Sequence, residues 1–230
     1  MATFLSGYQV FTSDDDLLGF GQFGQVYKGR DTNRNIDVAV KKIPLYDDED
    51  YQKYIRRELE TMLAIEHAHV VKLHHSEKSK QFLYLVMEFC DGGDIESYIR
   101  KKGALQREMC LGFMQNIAEA VEYMHTRKHP ILHRDLKPGN ILLKIENAIP
   151  IIKLADFGLA RPVSTAASRF SVTVCGSPNY MAPEARPDAD GKVAYDLPVD
   201  VFSVGLIFLV LHNHELTRKP LEPIKGKEIT

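Results

Sequence analysis

The sequence lacks tryptophan altogether and contains only three cysteines, Cys90, Cys110 and Cys175. These cysteines are odd in number and form neither a CxxC pair nor a zinc-binding spacing, so we expect reduced thiols in a cytoplasmic or nuclear protein. The longest apolar run, residues 201–211, is far shorter than the roughly 18 residues of a membrane span, which predicts a buried helix instead. The start of the sequence has neither the basic residues nor the apolar core typical of a signal peptide.

Neither sign of charge is in excess. The 29 basic and 31 acidic side chains leave a formal net charge of -2, so no broad basic surface points to a nucleic acid or an acidic membrane. The 230 residues are 44% hydrophobic and 26% charged, which is typical of a globular protein with a substantial core. Composition therefore predicts one large domain or two small ones, and it names no ligand.

What the sequence does contain is a change of hydrophobic period along the chain. Residues 17–90 are mostly strand-like, except that apolar residues recur at three and four between Tyr54 and Leu63, as on an amphipathic helix. The segment CDGGDI (90–95) interrupts both periods, and apolar residues then follow a helical spacing over 109–124. The sequence therefore predicts an α+β fold: a small antiparallel β lobe with one helix, a hinge, and a larger, mainly helical lobe.

A glycine cluster, GFGQFGQV, lies between two of the strand-like segments. Gly19, Gly21 and Gly24 have the GxGxxG spacing, which is weak evidence by itself. A dinucleotide-binding version would lead from a strand into a helix, whereas this one is flanked by strands on both sides. We therefore expect a flap whose backbone N–H groups approach anionic oxygens without intervening side chains.

The next strand carries a lysine that the alternation of side chains turns inward. Lys41 follows the apolar residues Val38 and Val40, and a buried ammonium group needs a counter-charge. The predicted helix offers Glu58 and Glu60. Glu58 is the better partner because it lies on the apolar face of the helix, whereas Glu60 lies farther round toward solvent.

The segment ILHRDLKPGN (131–140) concentrates polar residues where a proline prevents a helix interior. If it forms a hairpin with the strand before Asp156, then Asn140 and Asp156 meet as hard oxygen ligands, which Mg²⁺ uses together with phosphates. Asp135 can orient a hydroxyl and accept its proton, and Lys137 can offset charge on a moving phosphoryl group. These residues predict phosphoryl transfer from a nucleotide bound beneath the glycine flap.

Taken together and in order, these motifs resemble the eukaryotic protein kinase family. They are Gly19, Gly21, Gly24 and Val26, then Lys41, Glu58, HRDLKPGN (133–140), DFG (156–158) and APE (182–184). Lys137 within HRDLKPGN and the segment GSPNYMAPE are similar to the serine/threonine branch. The resemblance implies a single bilobal protein kinase-like domain over residues 8–230, with an N-lobe (8–89), a hinge (90–94) and a C-lobe (95–230).

The resemblance also implies an activity, two cofactors and a set of site residues. The activity is transfer of the γ-phosphate of ATP, with Mg²⁺, to serine and threonine hydroxyls of protein substrates. The implied catalytic residues are Asp135, Lys137, Lys41 and Glu58, and the implied metal ligands are Asn140 and Asp156. The implied ATP-binding residues are Gly19, Gly21, Gly24, Val26, Ala39, Lys41, Met87, Glu88, Cys90, Asp94 and Leu142.

Two further features come from the resemblance alone. The first is a regulatory pair, in which Arg134 binds a phosphorylated Thr173 in the activation segment and orders that segment. The second is a column of side chains that joins the two lobes in the active state. Its implied members are Met62, Leu73, His133 and Phe157, anchored from below by Asp200.

Within the family, VAVK, YLVMEFCDGGDI and CGSPNYMAPE resemble the autophagy-initiating serine/threonine kinases, and CDGGDI is also similar to the NIMA-related group. The resemblance departs at the end of the chain, since kinase domains normally continue with several helices after the one that contains Asp200. We therefore expect a C-terminally truncated C-lobe that lacks its last helices and the arginine that pairs with Glu184. Four large side chains would then be exposed and a partner would be needed to cover them: Phe202, Leu206, Phe208 and Leu209.

Three interpretations of the sequence follow. An active serine/threonine kinase is favoured because every catalytic position is filled. A catalytically weak or inactive kinase-like binding or regulatory module is favoured by the missing helices. A small-molecule kinase on the same fold is less consistent with GSPNYMAPE, which resembles a platform for peptide substrates.

Overall fold

The computed structural model of the chain describes residues 2–21, 23–103, 105–162, 170–171, 176–186, 193–194 and 196–213. Within these ranges the N-terminal lobe is built on a seven-stranded antiparallel sheet. Its strands are β1 (Ala2–Leu5), β2 (Tyr8–Phe11), β3 (Leu17–Gly21), β4 (Gly24–Asp31), β5 (Ile36–Pro44), β6 (Leu73–Lys78) and β7 (Phe82–Glu88). Their order is β1-β2-β4-β5-β7-β6, with β3 also paired to β4, so the sheet begins ahead of residue 8.

Strand β5 is the central strand of this lobe and explains the inward lysine. It pairs with β4 on one side and β7 on the other. Val38 and Val40 are fully buried in a cluster on one face of the sheet. Because side chains alternate along a strand, Lys41 and Ile43 point to the opposite face, where Ile43 joins the main core.

Helix α1 (Glu49–Ala64) packs against that second face of the sheet. The Asp48 carboxylate accepts a hydrogen bond from the Tyr51 N–H and so caps the start of the helix. Glu58 and Met62 are buried on the side that faces the sheet, whereas Glu60 is exposed. The predicted choice of Glu58 over Glu60 as the inward acid is therefore confirmed by the burial of the two side chains.

The second lobe is mainly helical within the described ranges. Its helices are α2 (Ile95–Lys102), α3 (Arg107–His125) and α4 (Pro198–Asn213). Its short strands are β8 (Ile131–Leu132), β9 (Ile141–Glu146), β10 (Ile149–Leu154), β11 (Arg161–Pro162), β12 (Phe170–Ser171) and β13 (Val193–Ala194). The predicted α+β fold, with a β lobe that carries one helix and a mainly helical lobe, is confirmed.

The segment that connects the lobes is tied to the β9–β10 hairpin. The Gly92 N–H donates to the Leu143 carbonyl over 2.8 Å, and the Leu143 N–H donates to the Gly93 carbonyl over 2.7 Å. A side chain at Gly92 would meet Leu143 at 2.7 Å, so only glycine permits this close approach. In the hairpin itself, Ile141 pairs with Leu154. This pairing brings the segments that end at Asn140 and start at Asp156 together, as the sequence predicted.

Helix α4 is better covered than the sequence predicted. Leu206 is only 5% exposed, and Phe202 and Phe208 are partly buried against the core, whereas Leu209 is 54% exposed. The expectation that all four side chains would be exposed is therefore wrong for Leu206 and holds fully only for Leu209. Helix α3 supplies much of the cover, and its Cys110 thiol donates to the Leu211 carbonyl over 3.2 Å.

The partner that was expected to cover this helix remains a prediction.

None of the helices in the described ranges has both the length and the apolar character that a membrane span requires.

Candidate active site

A cavity of about 390 Å³ lies between the two lobes. Most of the predicted nucleotide-binding residues line it, namely Gly19, Gly21, Val26, Ala39, Lys41, Met87, Glu88, Cys90, Asp94 and Leu142. The predicted metal ligands Asn140 and Asp156 and the helix acid Glu58 line the same cavity. The structure therefore brings the flap, the strand lysine and the two candidate metal ligands into one cleft.

Gly24 does not line this cavity, and a different constraint explains its identity. A side chain at Gly24 would lie 2.2 Å from the Lys42 carbonyl oxygen of the neighbouring strand β5, which pairs with β4 from Gln25 onward. Gly21 is constrained from within the cleft, since a side chain there would lie 2.8 Å from the Lys41 Cε atom. Gly24 shapes the base of the flap, and Gly21 lets the flap lie directly over the lysine.

The Lys41 ammonium lies between two carboxylates. Its Nζ atom is 2.5 Å from Glu58 Oε1 and 3.3 Å from Asp156 Oδ1. Burial alone would lower the pKa of Lys41, but the charges of Glu58 and Asp156 outweigh that effect and raise it above its ordinary value. Lys41 is therefore held as a cation that links the N-lobe strand, helix α1 and the DFG segment.

The predicted catalytic residues in the 133–140 segment form one hydrogen-bonded group. Lys137 Nζ donates to Asp135 Oδ2 over 2.9 Å, and the Asn140 side-chain amide donates to the same oxygen over 2.9 Å. The Asn140 amide also donates to the Asp135 carbonyl over 2.8 Å, which fixes its orientation. The Asp135 side chain is 11% exposed, and neither it nor Lys137 is among the residues that line the cavity between the lobes.

Ser177 belongs to this hydrogen-bonded group, although it is not among the site residues that the sequence predicts. Its hydroxyl donates to Asp135 Oδ1 over 2.8 Å and accepts from Lys137 Nζ over 2.8 Å. Ser177 lies within GSPNYMAPE, a motif that resembles a platform for peptide substrates. The motif does not by itself predict a contact between Ser177 and Asp135. Leu18 and Phe89 are also absent from the predicted set, although both line the cavity between the lobes beside residues that the sequence predicts.

Asp156 adopts the left-handed backbone region, with φ of 61° and ψ of 75°. A non-glycine residue rarely adopts this conformation. It directs the carboxylate toward Lys41 while Phe157, 1% exposed, is buried in the core. The centre of the Phe157 ring lies 5.0 Å from the centre of the His133 ring. These two members of the predicted inter-lobe column therefore contact each other.

Asp200 anchors the same region from helix α4. Its carboxylate accepts hydrogen bonds from the backbone N–H groups of His133 and Arg134, over 2.8 Å and 2.9 Å. Its Oδ2 atom is also 2.9 Å from Nε2 of His125. These contacts stabilise the positive φ of 67° at Arg134, the residue that precedes Asp135.

The donors in the cleft fit a magnesium ion that is bound together with a nucleotide. Asn140 and Asp156 offer amide and carboxylate oxygens, the hard ligands that Mg²⁺ prefers, and Mg²⁺ commonly uses few protein groups besides phosphates. Among the described residues no group of three or more histidine, cysteine, aspartate or glutamate side chains could hold a metal by itself. One or two protein oxygen ligands are the number that Mg²⁺ commonly uses when it also binds substrate phosphates.

Two other predicted residues also have clear positions. Asp94 is the N-cap residue of helix α2. Its two carboxylate oxygens accept hydrogen bonds from the Ser97 N–H and the Ser97 hydroxyl, each over 2.7 Å. Arg134 donates from Nε to the Leu159 carbonyl over 2.8 Å. Thr173, the predicted phosphorylation site that would pair with Arg134, lies outside the described residues.

Residues 12–227 match the protein kinase domain family. This chain belongs to that family. Its kinase domain is 35% identical to the serine/threonine-protein kinase atg1 of Dictyostelium discoideum over 200 residues, which cover 84% of the chain and 29% of the relative.

Two further relatives carry similar names. The chain is 36% identical over 203 residues to the human serine/threonine-protein kinase ULK1, with 85% of the chain and 18% of the relative covered. It is 37% identical over 206 residues to the serine/threonine-protein kinase unc-51 of Caenorhabditis elegans, with 85% and 23% covered. These names confirm the resemblance to the autophagy-initiating subgroup, and the kinase domain spans less than a third of each relative.

Proposed function

We propose that the chain is an ATP-dependent protein kinase that phosphorylates serine and threonine hydroxyls of protein substrates. One observation carries this proposal more than any other. Asp135 is held by Lys137, Asn140 and Ser177 in the same structure in which the Lys41–Glu58 ion pair is closed. Phosphoryl transfer depends mainly on positioning and on neutralising charge, and both sets of residues supply those functions.

In this proposal Asp135 is the base. Its carboxylate accepts from Ser177 on one oxygen and from Lys137 and Asn140 on the other, so its position is fixed before a substrate binds. A substrate hydroxyl within hydrogen-bond distance of this carboxylate would be oriented and would lose its proton to it, which contributes roughly 10²–10⁴-fold. The Lys137 ammonium lies beside the same oxygen and would offset charge on the transferred phosphoryl group.

The nucleotide phosphates would lie between the flap and Lys41. Lys41 would bind the phosphate oxygens, and Glu58 would keep its ammonium group directed into the cleft. Asn140 and Asp156 would hold Mg²⁺, which neutralises phosphate charge when it is bound. The chain's own contribution is a set of cationic and N–H donors placed before ATP enters.

The adenine would occupy the deeper part of the cleft. Val26 and Ala39 would cover one face of the ring and Leu142 the other, with Met87 at the back of the pocket. The backbone groups of the connecting segment that begins at Glu88 and includes Cys90 would bind the edge of the base. Asp94 would receive the ribose hydroxyls.

Regulation and location form the finer part of the proposal. We infer that phosphate on Thr173 would bind Arg134 and order the activation segment. The partners would be protein substrates rather than nucleic acids, since the charge is balanced. Both cysteines in the described ranges, Cys90 and Cys110, are free thiols, which supports a reducing location such as the cytoplasm or the nucleus.

Transfer of labelled phosphate from ATP to a mixed serine- and threonine-containing protein substrate tests this function. The Asp135→Asn variant is the control, because it keeps the shape of the side chain and removes the base. We expect transfer by the wild-type chain and a loss of about 10²–10⁴-fold in the variant. ATP binding without transfer by the wild-type chain would contradict the proposal and would favour a non-catalytic binding module.

A further inference from the structure

A second group of buried charges lies behind the connecting segment, outside the catalytic group. The Glu88 carboxylate, 10% exposed, contacts two lysines: Oε1 is 2.5 Å from Lys144 Nζ, and Oε2 is 3.0 Å from Lys153 Nζ. We call these three residues the rear cluster. Glu88 ends strand β7 of the N-lobe, and both lysines belong to the β9–β10 hairpin of the other lobe. The rear cluster therefore joins the two lobes.

The two lysines are placed on the same face of the hairpin as the floor of the nucleotide cleft. Lys153 pairs directly with Leu142 across the two strands, and directly opposed residues point to the same face of a sheet. Lys144 is two residues beyond Leu142 on β9, which also places it on that face. Because Leu142 lines the cleft, the hairpin that supports the adenine also holds the connecting segment from behind.

Other contacts hold the rest of the connecting segment against the same hairpin. The Asp91 carboxylate accepts from the Ile145 N–H over 2.9 Å, in addition to the two backbone bonds between Gly92, Gly93 and Leu143. On the N-lobe side, Glu88 is bound to Lys72 instead of the hairpin: the Glu88 N–H donates to the Lys72 carbonyl over 2.8 Å, and the Lys72 N–H donates to Glu88 Oε2 over 3.4 Å. Within the described residues, the rear cluster supplies the side-chain ion pairs of this attachment, while each of the other bonds named here involves at least one backbone group.

The charges of the rear cluster favour an ionised Glu88. Burial alone would raise the pKa of Glu88, but the hydrogen bonds from Lys144 and Lys153 outweigh it and hold that pKa below its ordinary value. Removing a lysine leaves a carboxylate that is nearly buried and under-compensated. The carboxylate is then stabilised by moving toward solvent, and that movement would displace the backbone of Glu88, a residue that lines the cavity between the lobes.

We propose that Lys144 and Lys153 are positioning residues for the nucleotide: through Glu88 they fix the backbone that binds the adenine edge. They touch neither the phosphates nor the substrate hydroxyl, so they act on ATP affinity and not on the chemical step. This inference rests on the proposed kinase function.

The test compares Lys144→Met, Lys153→Met and Lys153→Arg with the wild-type chain. Lys53→Met is the matched control, because it removes one lysine from an exposed pair with Asp50 on helix α1. Steady-state phosphotransfer gives KM for ATP and kcat, calorimetry gives the Kd of ATP, and hydrogen exchange without nucleotide follows the amides of residues 88–94. Thermal unfolding of every variant reports whether it is folded.

We expect Lys153→Met to raise KM and Kd for ATP on the order of tenfold and to leave kcat within about twofold. Lys144→Met, at the more exposed lysine, should have a smaller effect of the same kind, and Lys153→Arg should restore affinity because it keeps the charge. Faster exchange at residues 88–94 should accompany the loss. Lys53→Met should change none of these quantities.

Two results would overturn the inference. One is a Lys153→Met variant that melts at a lower temperature but binds ATP as the wild type does, which would make the rear cluster purely structural. The other is an equal fall in kcat and kcat/KM, which would place the lysines in the chemical step. A wild-type chain that binds no ATP would instead reject the proposed function, and with it this inference, and is distinguished by the wild-type calorimetry alone.

Discussion

Two charge clusters of this molecule are both built from lysine ammonium groups and carboxylates, but the ratio of the two kinds of group is reversed between them. In the front cluster, within the cleft, the single ammonium of Lys41 lies between the carboxylates of Glu58 and Asp156. In the rear cluster the single carboxylate of Glu88 lies between two ammonium groups. The front cluster therefore has one more negative than positive charge, and the rear cluster has one more positive than negative charge.

This difference in charge distinguishes a cluster that can bind further ligands from a cluster in which the carboxylate is already paired on both oxygens. Glu58 Oε2 is buried and has no hydrogen-bond partner among the described residues, and the Asp156 carboxylate is still 27% exposed. Both features suit a cluster that gains a metal cation and phosphates. Both oxygens of Glu88 are paired, so the rear cluster needs nothing further and holds the backbone in place.

Neutralising one acid in each cluster, Glu58 in the front cluster and Glu88 in the rear cluster, should give the largest and most different effects. Glu58→Gln should lower kcat by about 10²-fold, since Lys41 loses its nearest counter-charge and its orientation toward the phosphates. Glu88→Gln should keep kcat and raise KM for ATP, because only the position of the adenine-binding backbone changes. Steady-state kinetics at varied ATP concentration measures both effects. The same change in the same constant for both variants would show that the clusters do not differ in role.

Acid should weaken the rear cluster in a defined range of pH. The pKa of Glu88 in the folded chain lies below its ordinary value, because the two lysines more than offset the effect of burial. Its contribution to stability is therefore complete above the unfolded value of about 4.3 and is lost as the pH falls through the folded value.

Thermal unfolding of the wild-type chain and of Glu88→Gln measures this contribution. We expect the wild-type chain to melt a few degrees higher at pH 7, and the difference to shrink below about pH 4. A difference that stays constant, or that grows as the pH falls, would contradict an ionised Glu88 held by two lysines.

The smallest expected effect concerns the reactivity of Cys90, next to the rear cluster. Burial, and to a lesser extent the charge of Glu88, raises the pKa of the Cys90 thiol to about 12. At pH 8 only about one thiol in ten thousand is then ionised, and the thiolate is the reactive form. We expect iodoacetamide to label Cys90 far more slowly in the folded chain than in urea, as followed by mass spectrometry. Equal rates would mean that this part of the connecting segment is open to solvent.

The front cluster could be predicted from the sequence because local periodicity determines which way its residues point. Alternation along β5 turned Lys41 inward, and the apolar stripe of α1 selected Glu58 over Glu60. The β9–β10 hairpin brought Asn140 and Asp156 to one cleft for the same reason, since each lies at the end of a short apolar strand. The order of these motifs along the chain was sufficient to predict the two-lobed α+β fold.

The rear cluster could not be predicted, because its contacts depend on how the two lobes meet. In the sequence, Lys144 and Lys153 look like ordinary solvated residues among the apolar residues of the hairpin. Glu88 is predicted as an ATP-binding residue and not as their partner. Ser177 was missed because its contact to Asp135 spans 42 residues. The burial of Leu206 was also missed, because the packing of α3 against α4 has no signal in either helix alone.

The proposed function depends most on the binding of Mg²⁺ together with ATP at the front cluster. Calorimetric titration of ATP into the wild-type chain and the Asp156→Ala variant, with Mg²⁺ and with a chelator, tests it most directly. We expect Mg²⁺ to strengthen ATP binding to the wild-type chain and to have little effect on the variant. Equal affinity with and without Mg²⁺ in the wild-type chain, or an unchanged Mg²⁺ effect in the variant, would contradict it.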